Sequence, residues 1–154
     1  MQHAHILYGS VYGTARDAAE QLHAQLRSQG LSVSLEKSPD SARLSMLEGA
    51  LIIVTSTTGA GDVPDNLHPF LHWLETCPDL YRRPFALAGL GDSSYFDTFC
   101  GAAEQIQAKL EDLGANALLP SLKIDTLEHA DAAAPLLAWG ATLPDALRLS
   151  WQAA

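Results

Sequence analysis

The stretch over residues 6–15, Ile-Leu-Tyr-Gly-Ser-Val-Tyr-Gly-Thr-Ala, constrains the fold of this chain more than any other. An apolar run ends abruptly in glycines and hydroxyls, and a helical pattern starts at once. Gly9 and Gly13 permit a tight turn and a close approach to the backbone, while the new helix directs unpaired N–H groups and the positive end of its dipole into the loop. Ser10, Tyr12 and Thr14 add hydroxyl donors. Such a loop suits a phosphate. It has neither the Gly-Lys-Ser/Thr of a nucleoside-triphosphate loop nor a G-x-G-x-x-G dinucleotide fingerprint, which leaves a guest with one phosphate group or an ordinary strand-to-helix turn.

The same alternation continues along the chain. Residues 3–8 read as a strand, and Ala15, Ala18, Ala19, Leu22 and Leu26 fall on one helical face that stops at Gly30. Leu31, Val33 and Leu35 alternate with serines, the pattern of a half-buried edge strand. Residues 39–45 read as a loop. Residues 50–55, Ala-Leu-Ile-Ile-Val-Thr, are apolar on both faces and belong in the middle of a parallel sheet. A second polar loop, residues 56–66, precedes a helix marked by Leu67, Phe70, Leu71 and Leu74, with Pro64 near its start. Residues 85–90 form another apolar strand, ending in a third polar loop over residues 91–100. A helix follows, carried by Ala102, Ala103, Ile106, Leu110 and Leu113 and capped by Gly114. Residues 118–124 make the last strand, an edge because of Pro120, and a final helix from near Ala130 is broken or bent at Pro144. Strands alternating with helices predict an α/β, doubly wound parallel sheet, in which ligands bind outside the carboxyl ends of the strands. All three polar loops fall there.

At 154 residues the chain is expected to form one domain, with no linker and no apolar run of membrane-spanning length. The absence of a signal-peptide pattern predicts a cytoplasmic protein, and Cys77 and Cys100 form no C-x-x-C pair. Lys and Arg number 9 against 18 Asp and Glu, a net charge of −9. That balance opposes nucleic acid and anionic membranes and suits a basic protein partner.

The three loops together resemble those of the short-chain flavodoxins, in particular the MioC-type proteins, and of the FMN domains of diflavin reductases. Gly9-Ser10-Val11-Tyr12-Gly13-Thr14-Ala15 resembles the FMN phosphate loop. Thr57-Thr58-Gly59-Ala60-Gly61-Asp62-Val63-Pro64-Asp65-Asn66 resembles the first isoalloxazine loop, and Gly91-Asp92-Ser93-Ser94-Tyr95 through Phe99-Cys100-Gly101 the second. Residues 122–127 with His129 look like the MioC-type strand end. The resemblance implies a flavodoxin-like sheet of five strands in the order 2-1-3-4-5, with one FMN bound non-covalently by Ser10, Val11, Tyr12, Gly13, Thr14 and Ala15 at the phosphate. Thr57, Thr58, Gly59, Ala60, Gly61, Leu90, Gly91, Asp92, Tyr95, Phe96, Phe99 and Cys100 would line the rest. Counting from Gly91 selects Tyr95 as the ring stacked on the flavin; counting back from Phe99-Cys100 selects Phe96. The peptide at Gly59 is expected to turn toward flavin N5 as the first electron and proton arrive.

The resemblance also implies a monomeric carrier that takes single electrons from a basic NAD(P)H-dependent flavoprotein reductase and passes them to an acceptor enzyme. Asp62, Asp65, Asp92 and Asp97 would form the acidic docking rim. Departures from the family pattern are Tyr12 in place of a Thr or Ser, Arg16 where an acid is common, and Thr58 in place of an aromatic. Arg16 either reaches the phosphate or is solvated. Cys100 reads as a small packed residue rather than a reactive thiol. His68 and His72 lie i, i+4 on a helix without a third ligand in register and read as exposed histidines rather than a metal site. A phosphorelay receiver, with Lys123 as its one suitable residue, lacks the required acids, having Gly9-Ser10 and Thr55-Ser56-Thr57 instead. An FMN-dependent quinone or azo reductase is the stronger alternative, but no nicotinamide motif accompanies the flavin loops.

Overall fold

The computed structural model describes residues 3–58, 61–76, 79–94 and 100–153. Its elements, in chain order, are β1 (His3–Gly9), α1 (Thr14–Ser28), β2 (Ser32–Glu36), α2 (Ser41–Met46), β3 (Ala50–Thr55), a 3-10 turn (Asp65–Leu67) running into α3 (His68–Thr76), β4 (Pro84–Gly91), α4 (Gly101–Asp112), β5 (Asn116–Ala117), β6 (Leu122–Asp125), α5 (Ala133–Gly140) and α6 (Leu143–Ala153). The strands are parallel, as their alternation with helices predicts, and ordered β2-β1-β3-β4-β5, as the family resemblance implies.

Alternation along the strands sorts the core into two layers. Ala4, Ile6 and Tyr8 of β1 with Ile52 and Val54 of β3 pack against Ala15, Ala19, Leu22 and Leu26 of α1 and Leu136, Leu143 and Leu147 of α5 and α6. Leu7, Leu51, Ile53, Phe85 and Leu87 point the other way, onto Leu67, Phe70 and Leu74 and onto Ile106 and Leu110 of α4. Every residue of β3 is buried, which explains its unbroken apolar run. Each buried Val, Leu, Ile or Phe side chain contributes roughly 1.5–3 kcal/mol by leaving water. Among the described residues, no helix is long and apolar enough to cross a membrane.

Three elements differ from expectation. The last strand is two pieces, so a sixth strand is attached to the sheet. Both pieces pair with β4, Phe85 facing Ala117 and Ala88 facing Leu122, and the longer outer path between those pairs bulges around Pro120, which has no N–H to give a ladder. Residues 39–45 are not all loop, because α2 begins at Ser41 and runs to Met46. Asp40 caps it, accepting the Arg43 N–H at 2.8 Å. Only Leu44 of that helix is buried, so no periodic apolar face announced it. Finally, the C-terminal helix begins at Ala133, stops at Gly140 and resumes at Leu143. Pro144 therefore sits in a first helical turn, where its missing N–H costs nothing.

A histidine clamps the edge strand. His5 Nε2 lies 2.7 Å from the Glu48 carbonyl and Nδ1 lies 2.7 Å from the Ser34 hydroxyl on β2. A neutral ring satisfies both, donating from Nε2 and accepting at Nδ1. Burial, the largest influence, holds the His5 pKa below its ordinary value of 6.5. The unfolded chain thus binds this proton more readily than the folded one, and the His5 contribution is complete above the unfolded pKa and lost as pH falls through the lower folded value. The urea midpoint should drop between pH 7.5 and pH 5, and His5→Gln should reduce that drop; an unchanged pH dependence in the variant would remove His5 from this account.

Candidate functional site

The chain leaves β1 toward β2 and leaves β3 toward β4, so the crossovers diverge and a crevice opens outside the carboxyl ends of β1 and β3. Three loops meet there. In the first, Gly13 caps α1 with φ +93°, a conformation that strains any side chain, and its N–H donates to Ser10 Oγ at 3.0 Å. The helix ladder begins with Asp17 N–H on the Gly13 carbonyl at 2.8 Å. The N–H groups of Thr14, Ala15 and Arg16 consequently have no intrahelical acceptor. Ala15 buries its methyl in the core, while Val11 and Tyr12 project outward. Arg16 pairs with Asp17 at 3.3 Å and Glu20 at 3.9 Å while its guanidinium stays over the loop, where a Cβ on Gly13 would fall 2.9 Å from it, so it is half-exposed yet remains beside the candidate phosphate site.

Asn66 ties this loop to two others. Its Oδ1 accepts the Ser10 N–H at 2.9 Å, and its Nδ2 donates to the Tyr8 carbonyl at 2.7 Å and the Lys37 carbonyl at 3.3 Å. The sequence marks Asn66 only as the end of a motif, with no sign of this bridging role.

The second loop starts where Ser56 donates both its N–H and its hydroxyl to the Gly9 carbonyl, at 2.9 and 3.0 Å. Thr58 and Asp62 then pair antiparallel, with Asp62 N–H on the Thr58 carbonyl at 2.8 Å. This pinched loop rests on the start of α4. A Cβ on Gly101 would fall 3.1 Å from Gly61 Cα, Gln105 donates to the Gly61 carbonyl at 2.6 Å, and the Ala102 N–H reaches Thr57 Oγ1 at 3.4 Å.

The third loop leaves β4 at Leu90 and Gly91. Asp92 Oδ1 accepts from the Ser94 N–H and hydroxyl at 2.8 and 2.6 Å, so this carboxylate shapes its own turn. Asp125, from the end of β6, accepts from the Ser93 N–H at 3.2 Å and the Leu127 N–H at 3.0 Å. Hydrogen bonding from Ser93 holds its carboxyl below the usual range. Cys100 caps α4 at φ 54°, fully buried, with Sγ 3.5 Å from the Gly89 carbonyl, and burial pushes its thiol up to about 11. It is a packed, protonated residue at neutral pH. Gly59, Ala60, Tyr95, Phe96, Asp97 and Phe99 lie outside the described residues.

Two contiguous grooves result. One, of about 570 Å³, is lined by Ser10, Val11, Tyr12, Ser56, Thr57, Thr58, Asp65 and Asn66. The other, of about 300 Å³, is lined by Thr14, Ser56, Thr57, Leu90, Gly91 and Asp92 and closed by Thr126, His129, Ala130 and Ala132. Ser56 and Thr57 join them, so the structure brings members of all three loops together. The wall from Thr126 to Ala132 carries no spacing signal in the sequence beyond the strand end at His129. His68 Nε2 lies 3.0 Å from the Val63 carbonyl, and among the described residues no group of three or more His, Cys, Asp or Glu is placed to hold a metal. Lys123 pairs with Glu104 at 2.6 Å.

Asn66→Ala should release the N–H of Ser10 and two carbonyls at once and lower stability by about 1–3 kcal/mol. Urea unfolding measures this; an unchanged midpoint would show that the first loop holds its shape without Asn66.

Comparison with known proteins agrees with this geometry. The flavodoxin family model matches residues 6–140. The chain is 42% identical over 132 residues to the MioC homolog of Haemophilus influenzae, covering 84% of this chain and 88% of that one. It is 39% identical over 124 residues to the NADPH sulfite reductase flavoprotein alpha-component of Shewanella oneidensis, covering 78% of this chain and 20% of that larger protein. A cysteine-to-serine mutant of flavodoxin from Pseudomonas aeruginosa superimposes with a TM-score of 0.88 at 36% identity, over 95% of this chain and 99% of that one. The chain belongs to the flavodoxin family, the FMN-binding electron-transfer proteins that act as carriers rather than enzymes.

Proposed function

We propose that this chain is a one-domain cytoplasmic flavodoxin that takes single electrons from a basic NAD(P)H-dependent flavoprotein reductase and delivers them to an acceptor enzyme. The observation that carries the reading is the convergence of the three loops on two joined grooves. Free N–H groups at the start of α1 suit a phosphate, the hydroxyls of Ser56 and Thr57 suit a polyol, and the backbone at Leu90 and Gly91 closes the same groove from the third loop. FMN has a phosphate, a polyol and a flat ring, and when bound it supplies the electron-carrying chemistry.

In this reading, Thr14 and the N–H groups of residues 14–16 hold the phosphate. Ser10 assists, because its oxygen accepts from Gly13 and its own O–H remains available to donate. Gly13 keeps the loop open, while Ala15 and Cys100 act from beneath by packing. Thr57, Thr58 and Gly61, with Gly59 and Ala60, hold the ring on one side, and Leu90, Gly91 and Asp92 on the other, with Tyr95 or Phe96 and with Phe99. Tying the loops to one another, through Asn66, Gln105 and Asp125, keeps these groups in place and limits the rearrangement that accompanies electron transfer.

Asp62 and Asp65 are exposed at the rim, on a chain of net charge −9, and favour a basic partner surface. Such charges chiefly raise the association rate and are screened beyond a Debye length of about 8–10 Å. With NADPH as the reductant, the FMN-loaded protein should be reduced only when a flavodoxin reductase is added, with a second-order rate that falls from low to high ionic strength. Reduction by NADPH without a reductase would favour the quinone or azo reductase reading, and a salt-independent rate would end the role given to the acidic rim.

A further inference from the structure

We infer that the ring of Tyr12 folds over bound FMN and covers the flavin face that Thr58 leaves bare, an inference that rests on the FMN reading above. Tyr12 is 95% exposed, the most of any large hydrophobic residue among the described residues, the next being Tyr81 at 74%. A tyrosine ring can bury on the order of 150 Å² or more, and this one buries almost none of it. The backbone around it is nevertheless held: Ser10 N–H is bonded to Asn66, Gly13 N–H to Ser10 Oγ, and Gly13 itself is committed to positive φ. A fixed backbone with a free side chain lets the ring rotate without remaking the loop, a motion of picoseconds to nanoseconds for an exposed residue.

The ring already borders the larger groove. Its neighbours there are hydroxyls, the Asn66 amide, the Asp65 carboxylate and the small apolar Val11, itself 53% exposed. Thr58, which lines the same groove, is too small to cover a fused ring system. A flat aromatic ligand lying in this groove has, among the described residues that line it, one aromatic partner, and that is Tyr12. Closing the ring onto the ligand removes apolar surface of both from water and adds the preference of aromatic rings for offset stacking. The sequence suggests a different job for Tyr12, a hydroxyl for the phosphate. The two are separable, because stacking needs the ring and acts on any flavin, whereas a phosphate contact needs the hydroxyl and acts on FMN alone.

The test compares Tyr12→Ala, Tyr12→Phe and Thr14→Ala, each titrated with FMN and with riboflavin, following flavin fluorescence and visible absorbance. Tyr12→Ala should weaken both ligands to a similar degree, on the order of tenfold, and leave the bound flavin brighter, since a stacked tyrosine quenches its emission. Tyr12→Phe should bind both ligands within about twofold of the wild type, and Thr14→Ala should weaken FMN much more than riboflavin. Wild-type affinity and quenching in Tyr12→Ala would overturn the inference and leave the FMN reading standing. Loss of FMN but not riboflavin affinity in Tyr12→Phe would overturn it in favour of a phosphate hydroxyl. Failure of the wild type to bind either flavin would overturn both.

Discussion

The hydrogen bonds of Asn66 are the constraint on which the site most depends. A parallel sheet brings the loops after β1, β2 and β3 to one edge, but it does not fix their shapes. Asn66 does so with one side chain, accepting from Ser10 and donating to the carbonyls of Tyr8 and Lys37. An amide suits this position because it presents an acceptor and two donors in one plane, whereas a carboxylate or a hydroxyl would leave at least one backbone group unmet. Ser38 returns the favour by donating to the Asn66 carbonyl at 3.2 Å. The first loop is thereby shaped before any ligand arrives, which reduces the ordering cost of binding.

The electrostatics of the crevice run against those of the whole chain. Net charge is −9, yet the first loop offers backbone N–H groups and a helix N-terminus to an anion. The Arg16 guanidinium lies over Gly13 beside these dipoles, its charge shared with Asp17 and Glu20. Asp62 and Asp65, by contrast, are exposed at the rim. The carboxylates deeper in the loops serve structure instead: Asp92 closes a turn on Ser94 and Asp125 holds Ser93.

The fold was largely legible in the sequence because its strongest signals come from burial. The unbroken apolar run of β3, the single apolar face of α1 and the alternation of β2 each follow from what their surroundings bury. Elements that bury little were not legible. The helix α2 contributes one buried leucine, and the cap at Asp40 that starts it is seen only in the structure. Splitting of the last strand followed from Pro120, which signalled an edge without saying that both pieces would pair with β4. At the site, the three loops were visible as glycine and hydroxyl clusters, but what joins them was not. The contacts of Asn66 with Lys37, of Gln105 with Gly61 and of Asp125 with Ser93 span distant parts of the chain, and no local pattern encodes such pairings.

The visible absorption spectrum of the purified chain after addition of FMN and removal of the excess tests the central claim most directly. The account predicts a yellow protein retaining one FMN per chain, with a flavin spectrum displaced from that of the free cofactor by its surroundings. A chain that remains colourless, with all of the FMN recovered in the wash, would contradict it.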